Sequence, residues 1–395
     1  MNSISSRVII ILESILPPIR NTVYFKSFTG LYNDNPKQIS VALHKQYPEV
    51  RQVWLQENNS RERIPSYAKV VRPNSLESIK YSFRAEVLVD NYSGVRVEKY
   101  PSDSFFRRIL AKIKLHKRKG QLGISTWHGT PLKHIAYDDP NSKKKESFYT
   151  STDYFIAGCQ LTENSLYSAF RNNIPVRKYG TPRNDALFLN NVDIDNIKKK
   201  IGIPNGFKVF LYAPTFRNDS NLSGLSQIKE INFHKLFRVL AQKFGGDWVF
   251  VYRVHNLVLS RLNEIEIPNE FRDRIINGNK ADDMLDYILC SDVLLTDYSS
   301  SFFDFFLTKK PCFLYTPDLA FYANEERGFY INIDQLPMKC ACTIDELYNQ
   351  ISQYEQNSYL ENVDQFLRYI GNYEDGNASR RIVNDIVDFI NRSKK

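Results

Sequence analysis

The amino-acid sequence predicts an α/β protein built from two doubly wound domains that face a central cleft. At 395 residues the chain is longer than one ordinary hydrophobic core needs, and two domains of roughly 150–200 residues are expected. Short apolar runs alternate with stretches of helical periodicity, which is typical of parallel sheets covered on both faces. The polar stretch 190–206 separates two such series. We therefore predict domains at residues 1–188 and 189–395.

The first domain is predicted from six apolar runs and two helical stretches. One helix covers residues 34–47, where Asp34 or Asn35 caps the start and Pro36 occupies the first turn. The other covers residues 161–170. The predicted strands are 21–28, 52–57, 69–73, 87–91, 122–127 and 153–159.

The second domain is predicted from four further apolar runs, each followed by a loop or a helix. They cover residues 207–214, 248–255, 293–300 and 311–317. In doubly wound sheets, ligands bind beyond the carboxyl ends of the strands. We therefore expect the functional site at these strand ends, where the two domains face each other.

The composition is that of a folded protein and argues against several other classes. Hydrophobic residues make up 42% and charged residues 25%, which is typical of a globular chain. No run approaches the roughly 18 apolar residues that span a bilayer. The five cysteines are odd in number and mostly lie in apolar runs, which predicts buried free thiols in a reducing compartment.

The net charge of +9 is concentrated in a few segments. Between residues 107 and 120, apolar residues alternate with cations, which predicts a basic amphipathic helix. Such a face either attracts anionic lipid head groups or polyanions, or is simply solvated. No nucleic-acid-reading motif accompanies the charge, so nucleic acid is not an expected partner. The cations concerned are Arg107, Arg108, Lys112, Lys114, Lys117 and Arg118.

Four segments place polar residues directly after a predicted strand. Each residue alone also fits a turn cap, a surface ion pair or a helix start. Their coincidence at four strand ends points to a shared function. The residues are His128, Thr130 and Lys133; Thr215 and Arg217; Arg253 and His255; and Thr296, Asp297, Ser299, Ser300 and Asp304.

These residue types suit chemistry on a phosphate. The serine run before "FFDFF" predicts a helix N-terminus, which attracts anions. Arg217 and Arg253 add bidentate donors for pyrophosphate oxygens. His128, from the opposite domain, would act as general base on an acceptor hydroxyl, and His255 would hold or protonate a leaving phosphate. The sequence has no Walker loop and no GxGxxG motif, which argues against kinase and dinucleotide-binding functions.

Several motifs resemble those of the CDP-glycerol glycerophosphotransferases, which build teichoic acids and related capsule polymers. The resemblance covers roughly residues 21–335 and implies a GT-B-like pair of Rossmann-type domains, with the donor held mainly by the second. It also implies that a hydroxyl of a polyprenyl-diphosphate-linked saccharide or polymer attacks the phosphate next to glycerol and releases CMP. The motifs are "DNPKQI", "WHGTPLK", "GTPRND", "YAPTFR", "YRVH" and "SDVLLTDYSSSFFDF", followed by "KKPCFLY" and "RGFY".

The resemblance also implies roles for individual residues. His128 matches the expected base and His255 the histidine of an RxHP motif, in which Asn256 stands where the family usually has proline. Lys133 and the cations of segment 107–118 would contact the acceptor or an anionic membrane. The implied donor-binding residues are Gly129, Thr130, Arg183, Thr215, Arg217, Arg253, Thr296, Asp297, Ser299, Ser300, Asp304 and Arg327.

The same resemblance leaves several alternatives open. The expected location is the cytoplasmic face of the cell membrane, with peripheral attachment, and the short chain favours a primase or a short polymerase. No cofactor is assigned; a divalent metal at the pyrophosphate stays open, with Asp297 or Asp304 as the nearby carboxylates. The donor alternatives are CDP-ribitol and, for another GT-B transferase, a nucleotide sugar. A non-catalytic polyanion- or membrane-binding protein on the same fold is the third alternative.

Overall fold

The structure is a computed structural model, and it describes residues 16–57, 62–73, 75–92, 117–141, 152–171, 173–215, 224–254, 267–319 and 328–393. Within these ranges the chain forms two parallel β-sheets, one of seven strands and one of six. Every residue of the central strand Ala85–Asp90 is buried, as expected where helices cover both faces of a sheet.

The first sheet contains the six predicted strands and one additional short edge strand. Its spatial order is β3-β2-β1-β4-β5-β6-β7. The strands are β1 (Ile19–Lys26), β2 (Arg51–Leu55), β3 (Ala68–Val71), β4 (Ala85–Asp90), β5 (Leu122–Ser125), β6 (Tyr154–Ile156) and β7 (Val176–Arg177).

The second sheet contains the four predicted strands and two more, β10 and β13, that are too short to give a periodic signal. Its spatial order is β10-β9-β8-β11-β12-β13. The strands are β8 (Lys208–Ala213), β9 (Trp248–Tyr252), β10 (Ile275–Asn277), β11 (Val293–Thr296), β12 (Cys312–Tyr315) and β13 (Cys340–Ala341).

Helices connect these strands and cover the sheets. Both helices predicted for the first domain are present, as α1 and α3. The helices are α1 (Asp34–Gln46), α2 (Leu76–Arg84), α3 (Gln160–Phe170), α4 (Ile194–Ile201), α5 (Gly224–Lys229), α6 (Phe233–Phe244), α7 (Met284–Cys290), α8 (Ser301–Phe306), α9 (Ile344–Ser352), α10 (Gln356–Tyr369) and α11 (Ala378–Arg392), with a 3₁₀ helix at Pro182–Phe188.

The last helix departs from the predicted domain assignment, which placed all of residues 189–395 in the second domain. Helix α11 buries Ile382, Ile386 and Ile390 in the same apolar cluster as Val23 and Phe25 of β1. The spacing of four residues places these isoleucines on one helix face. The chain therefore passes between the two sheets twice, once before α4 and once between α10 and α11.

The described part of the predicted basic helix has internal partners in place of the predicted membrane contact. Residues 117–120 are not helical, and a turn covers Lys119 and Gly120. The Lys117 ammonium donates to Asp153 Oδ1 at 2.7 Å, and Arg118 is buried and donates from Nη1 to the Leu16 carbonyl at 2.6 Å. Arg107, Arg108, Lys112 and Lys114 lie outside the described residues. Among the described helices, none is long and apolar enough to cross a membrane.

Candidate active site

A cleft of about 670 Å³ lies between the two sheets, at the carboxyl ends of their strands. The first domain contributes Asp34, the turn 127–133 and Arg183 to its walls. The second domain contributes Thr215, Arg253, the serines 299–301 and Asp304. The cleft therefore brings together polar residues that are far apart in the sequence, as the strand-end argument predicted.

His128 lies in the turn that follows β5. Trp127 anchors this turn by packing its ring 5.4 Å from Phe170. The Nδ1 atom of His128 is 3.1 Å from the Asn91 carbonyl oxygen. A carbonyl only accepts hydrogen bonds, so Nδ1 carries the proton and Nε2 carries the lone pair. The imidazole is exposed and lines the cleft, and this tautomer suits a group that accepts a proton there.

Its surroundings keep His128 neutral. The imidazole is open to the cleft but enclosed by protein on its other sides, and this loss of bulk water lowers the pKa of His128 from its ordinary value. The negative charge of Asp34 and the hydrogen bond to Asn91 oppose this shift, and the Arg183 charge adds to it. A neutral imidazole is the form that can act as a general base.

Arg183 and Asp304, both expected to bind the donor, bind each other across the two domains. The Arg183 guanidinium donates from Nε and Nη2 to Asp304 Oδ2 at 3.0 and 2.8 Å. Its Nη1 donates to Asp34 Oδ1 at 2.8 Å. Asp304 also accepts from Asn184 Nδ2 at 3.0 Å. The carboxylates on either side of Arg183 raise its pKa, so the guanidinium stays charged.

At the end of β11 and directly after it, two of the predicted donor-binding residues lie beneath the cleft instead of in it. The Thr296 hydroxyl is fully buried and donates to the Ala213 carbonyl at 2.7 Å. The Asp297 carboxylate accepts from the Thr215 amide at 2.8 and 3.0 Å. These contacts join the ends of β8 and β11. They position the cleft wall, and neither residue is among those that line the cleft.

The serines that follow do line the cleft. Helix α8 begins at Ser301, with Ser300 as its N-cap residue, as the sequence predicted. The Ser299 and Ser301 hydroxyl oxygens are 3.1 Å apart. The Ser301 amide, which as part of the first helical turn has no intrahelical partner, donates to the Ser299 hydroxyl oxygen at 3.4 Å. The turn therefore places serine hydroxyls at the start of a helix on the wall of the cleft.

Arg253, predicted to bind pyrophosphate, instead holds a backbone loop beside the cleft. Its Nη1 donates to the carbonyls of Gly278 and Ala281, both at 2.8 Å. Its Nη2 donates to the Asp282 carbonyl at 3.1 Å. Burial lowers the pKa of Arg253, but the guanidinium remains cationic because its ordinary value is so high. Arg253 thus shapes the cleft wall through the loop 278–282.

The remaining predicted residues fall into two groups. Gly129, Thr130, Lys133 and Thr215 line the cleft, although the Thr130 hydroxyl accepts a hydrogen bond from Thr162 at 3.1 Å within its own domain. His255, Arg217 and Arg327 lie outside the described residues.

Sequence reasoning missed the supports of His128. Asn91 is the last residue of the predicted strand 87–91 and directly follows the observed β4, and the sequence pattern indicates Asp34 as a helix cap. Each belongs to an Asp-Asn pair at the end of a predicted element, Asp34-Asn35 and Asp90-Asn91. These pairs are the sequence feature that could have indicated a supporting role.

The two carboxylates considered for a divalent metal already have protein partners. Asp297 accepts from the Thr215 amide and Asp304 from Arg183 and Asn184. Over the described ranges, no group of three or more histidine, cysteine, aspartate or glutamate residues is arranged to hold a metal ion. Asp297 and Asp304 therefore do not fit a metal site.

A family model described as CDP-glycerol:poly(glycerophosphate) glycerophosphotransferase matches residues 9–388. The chain belongs to this family. The motif resemblance is thereby confirmed.

Individual glycerophosphotransferase relatives agree with this assignment. The teichoic acid poly(glycerol phosphate) polymerase of Staphylococcus epidermidis is 30% identical over 382 residues, which cover 91% of this chain and 50% of that protein. The teichoic acid glycerol-phosphate transferase of Staphylococcus aureus is 29% identical over 391 residues, or 93% of each protein. The chain thus spans half the length of the first relative and nearly all of the second.

A solved structure of a glycerophosphotransferase relative supports the fold. The wall teichoic acid polymerase TagF matches with a TM-score of 0.79 and 26% identity, covering 99% of this chain and 95% of that one. The predicted GT-B-like α/β fold is confirmed.

Proposed function

We propose that this chain transfers glycerol phosphate from CDP-glycerol to a hydroxyl group of a lipid-linked acceptor and releases CMP, in the synthesis of teichoic acid or a capsule polymer. One observation carries the proposal: His128, whose Nδ1 is bonded to the Asn91 carbonyl so that Nε2 keeps the lone pair, lines the same cleft as the serine turn at the start of α8. The names of the two staphylococcal relatives both specify glycerol phosphate. The structural relative TagF has also been solved after soaking with CDPG.

The reaction is an in-line displacement at phosphorus. His128 Nε2 takes the proton of the acceptor hydroxyl, and the acceptor oxygen forms a bond to the phosphorus that carries glycerol. The bond between that phosphorus and the oxygen bridging to the cytidine phosphate breaks, and CMP leaves with the electron pair. Holding both reactants in one cleft removes much of the entropic barrier, and no covalent enzyme intermediate is needed.

The serine turn would bind the donor pyrophosphate. The hydroxyls of Ser299 and Ser300 are uncharged donors, and the positive end of the helix dipole adds to their attraction for an anion. The Ser301 amide donates to the Ser299 hydroxyl oxygen at 3.4 Å and so supports this turn. Lys133 lines the same cleft and supplies a cation from the first domain. In this proposal Arg253 acts indirectly, by fixing the loop 278–282, and the role of His255 in protonating the leaving phosphate stays a prediction.

The acceptor and the location belong to the same proposal. A polyprenyl-diphosphate-linked saccharide or polymer would approach from the His128 side, at the cytoplasmic face of the membrane. Peripheral attachment would depend on the cations of segment 107–114, since Lys117 and Arg118 have internal partners. CDP-ribitol is the second donor to test, because the polyol pocket is not defined by the motifs.

The decisive experiment measures CMP release from CDP-glycerol and from CDP-ribitol, each with a lipid-linked disaccharide acceptor. We expect acceptor-dependent release from CDP-glycerol, and a loss of about 10²- to 10⁴-fold in His128→Ala. His234→Ala is the matched control, because that histidine is 72% exposed and pairs with Glu270 away from the cleft. Full turnover by His128→Ala would refute its role as the base. Release from CDP-ribitol alone would change the donor, and silence with both donors would contradict the proposed reaction.

A further inference from the structure

We propose that Asp34 is a positioning residue for His128, and that the same carboxylate ties the base to the donor-binding turn of the second domain. This role rests on the proposed function and adds to it a residue that neither contacts the reacting atoms nor was expected from the strand-end pattern. A continuous series of hydrogen bonds, which runs from His128 to helix α8, supports this role.

The first part of the series fixes the imidazole. His128 Nδ1 donates to the carbonyl of Asn91 at 3.1 Å, so the position of that peptide sets the tautomer and the orientation of the ring. The buried Asn91 side chain is held on both sides. Its Nδ2 donates to Asp34 Oδ2 at 2.6 Å, and its Oδ1 accepts from the Phe28 amide at 2.7 Å.

The second part of the series leads to the other domain. Asp34 Oδ1 accepts from Arg183 Nη1 at 2.8 Å, and Arg183 binds Asp304 through two further donors. Asp304 lies in the first turn of α8, three residues after Ser301. One guanidinium therefore links the carboxylate that supports the base to the helix that would hold the donor phosphate.

The start of α1 also supports the backbone next to His128. Trp127 and Asp34 both have positive φ angles, of 53° and 58°, a conformation that residues other than glycine keep only when their contacts enforce it. Asn35 supplies such contacts, because its Nδ2 donates to the Trp127 carbonyl at 3.1 Å and its Oδ1 accepts from the Arg183 amide at 3.1 Å. The start of α1 thus supports the turn before His128 as well as the peptide beneath it.

The charge of Asp34 affects the pKa of His128, and a residue with a purely structural role would not change that pKa. Among the described residues, the charged and titratable groups near His128 are the Asp34 carboxylate, the Arg183 guanidinium and Tyr92, whose ring centroid is 5.6 Å from the imidazole. Asp34 raises the pKa of His128 and Arg183 lowers it. Neutralising Asp34 removes the attractive charge and leaves the repulsive one, so the pKa of His128 falls further.

The test compares Asp34→Asn with wild type and with Lys37→Gln in the full chain. Lys37 lies on the same helix and also joins the domains, through Asp283 at 3.1 Å. Its other ion-pair partner, Glu62 at 2.9 Å, belongs to the first domain. Neither partner belongs to the series of hydrogen bonds that supports His128. For Asp34→Asn we expect kcat for CMP release to fall about 10- to 100-fold, as misplaced catalytic groups do. The acid limb of kcat/KM should move about half a pH unit lower, the effect of one partly screened charge.

Lys37→Gln should leave the acid limb in place even if it lowers stability. If both variants lose activity equally and neither shifts the pH profile, Asp34 only docks the domains and the proposal is wrong. A second readout does not depend on turnover: NMR titration of ¹⁵N-labelled histidines gives the pKa and tautomer of His128 directly, with His128→Ala for assignment. Asp34→Asn should lower that pKa and weaken the preference for the Nδ1–H tautomer. No change in either would overturn the inference, whereas absent CMP release by wild type would refute only the proposed function.

Discussion

Replacing Gly129 by alanine tests whether the turn of His128 and the interdomain ion pair depend on each other. Gly129 has φ of +124°, and a Cβ added there would lie 2.5 Å from Arg183 Nη2. That nitrogen is not free to retreat, because it donates to Asp304 Oδ2 at 2.8 Å. Either the turn or the guanidinium must therefore move.

The magnitude follows from two separate contributions. A residue other than glycine in such a backbone conformation costs about 1–3 kcal/mol. Displacing one charged hydrogen bond of Arg183 costs about 1.5–3 kcal/mol more. Together these contributions lower the free energy of unfolding by about 2.5–6 kcal/mol, which for domains of this size lowers Tm by roughly 5–24 °C. Movement of His128 by even about 1 Å would reduce turnover up to roughly 100-fold.

The assay combines thermal unfolding with CMP release, and Gly202→Ala is the matched control. Gly202 has φ of +78°, but a Cβ there would meet nothing within 4 Å, so only the cost of the left-handed backbone conformation, about 1–2 kcal/mol, applies. We expect Gly202→Ala to keep wild-type turnover. If Gly129→Ala matches the control in both Tm and turnover, the coupling between the turn and Arg183 does not exist.

One further prediction distinguishes a residue that supports the cleft wall from a residue that binds the donor, and another concerns the pH dependence of stability. Thr296→Val should lower the free energy of unfolding by about 1–3 kcal/mol, because its hydroxyl donates to a buried carbonyl, and should leave KM for CDP-glycerol unchanged. Ser300→Ala should instead raise KM and leave Tm unchanged. The reverse pattern would mean that Thr296 binds the donor. Glu374, whose carboxylate is enclosed by Gly158 and Thr181, has its pKa raised by burial to about 7. The folded state then holds this proton more tightly than the unfolded chain, so wild-type stability falls as pH rises from about 4.5 to 7. Glu374→Gln should lack that fall, and parallel Tm curves for the two proteins between pH 4.5 and 8 would contradict it.

The sheet architecture was predictable because buried parallel strands give a strong local signal. All ten predicted strands are present, and the serine run does begin a helix at Ser301. The strands β7, β10 and β13 were missed because two or three residues carry no periodicity. The return of α11 to the first sheet was also missed, since an amphipathic stripe identifies a buried face without identifying what covers it.

The site was predictable as a location but less so in its contacts. The carboxyl-end rule brought His128, Thr215 and Ser300 to one cleft. The rule does not predict which neighbouring group each side chain forms a hydrogen bond with. Arg253 satisfies nearby backbone carbonyls and Thr296 satisfies an adjacent strand, because buried donors must find acceptors wherever the backbone offers them. Such local competition depends on three-dimensional distances that residue types do not encode.

The double passage of the chain between the sheets limits how the cleft can open. Two domains joined by a single linker can rotate about any axis. With two linkers, rotation is least hindered about the line that joins the linkers. One linker precedes α4, and the other, between α10 and α11, contains Glu374, which binds the Thr181 amide at 2.9 Å. We therefore expect the domains to move relative to each other by a change of opening angle, with little sliding past one another. A donor carried by the second domain would approach His128 along nearly the same arc in every catalytic cycle.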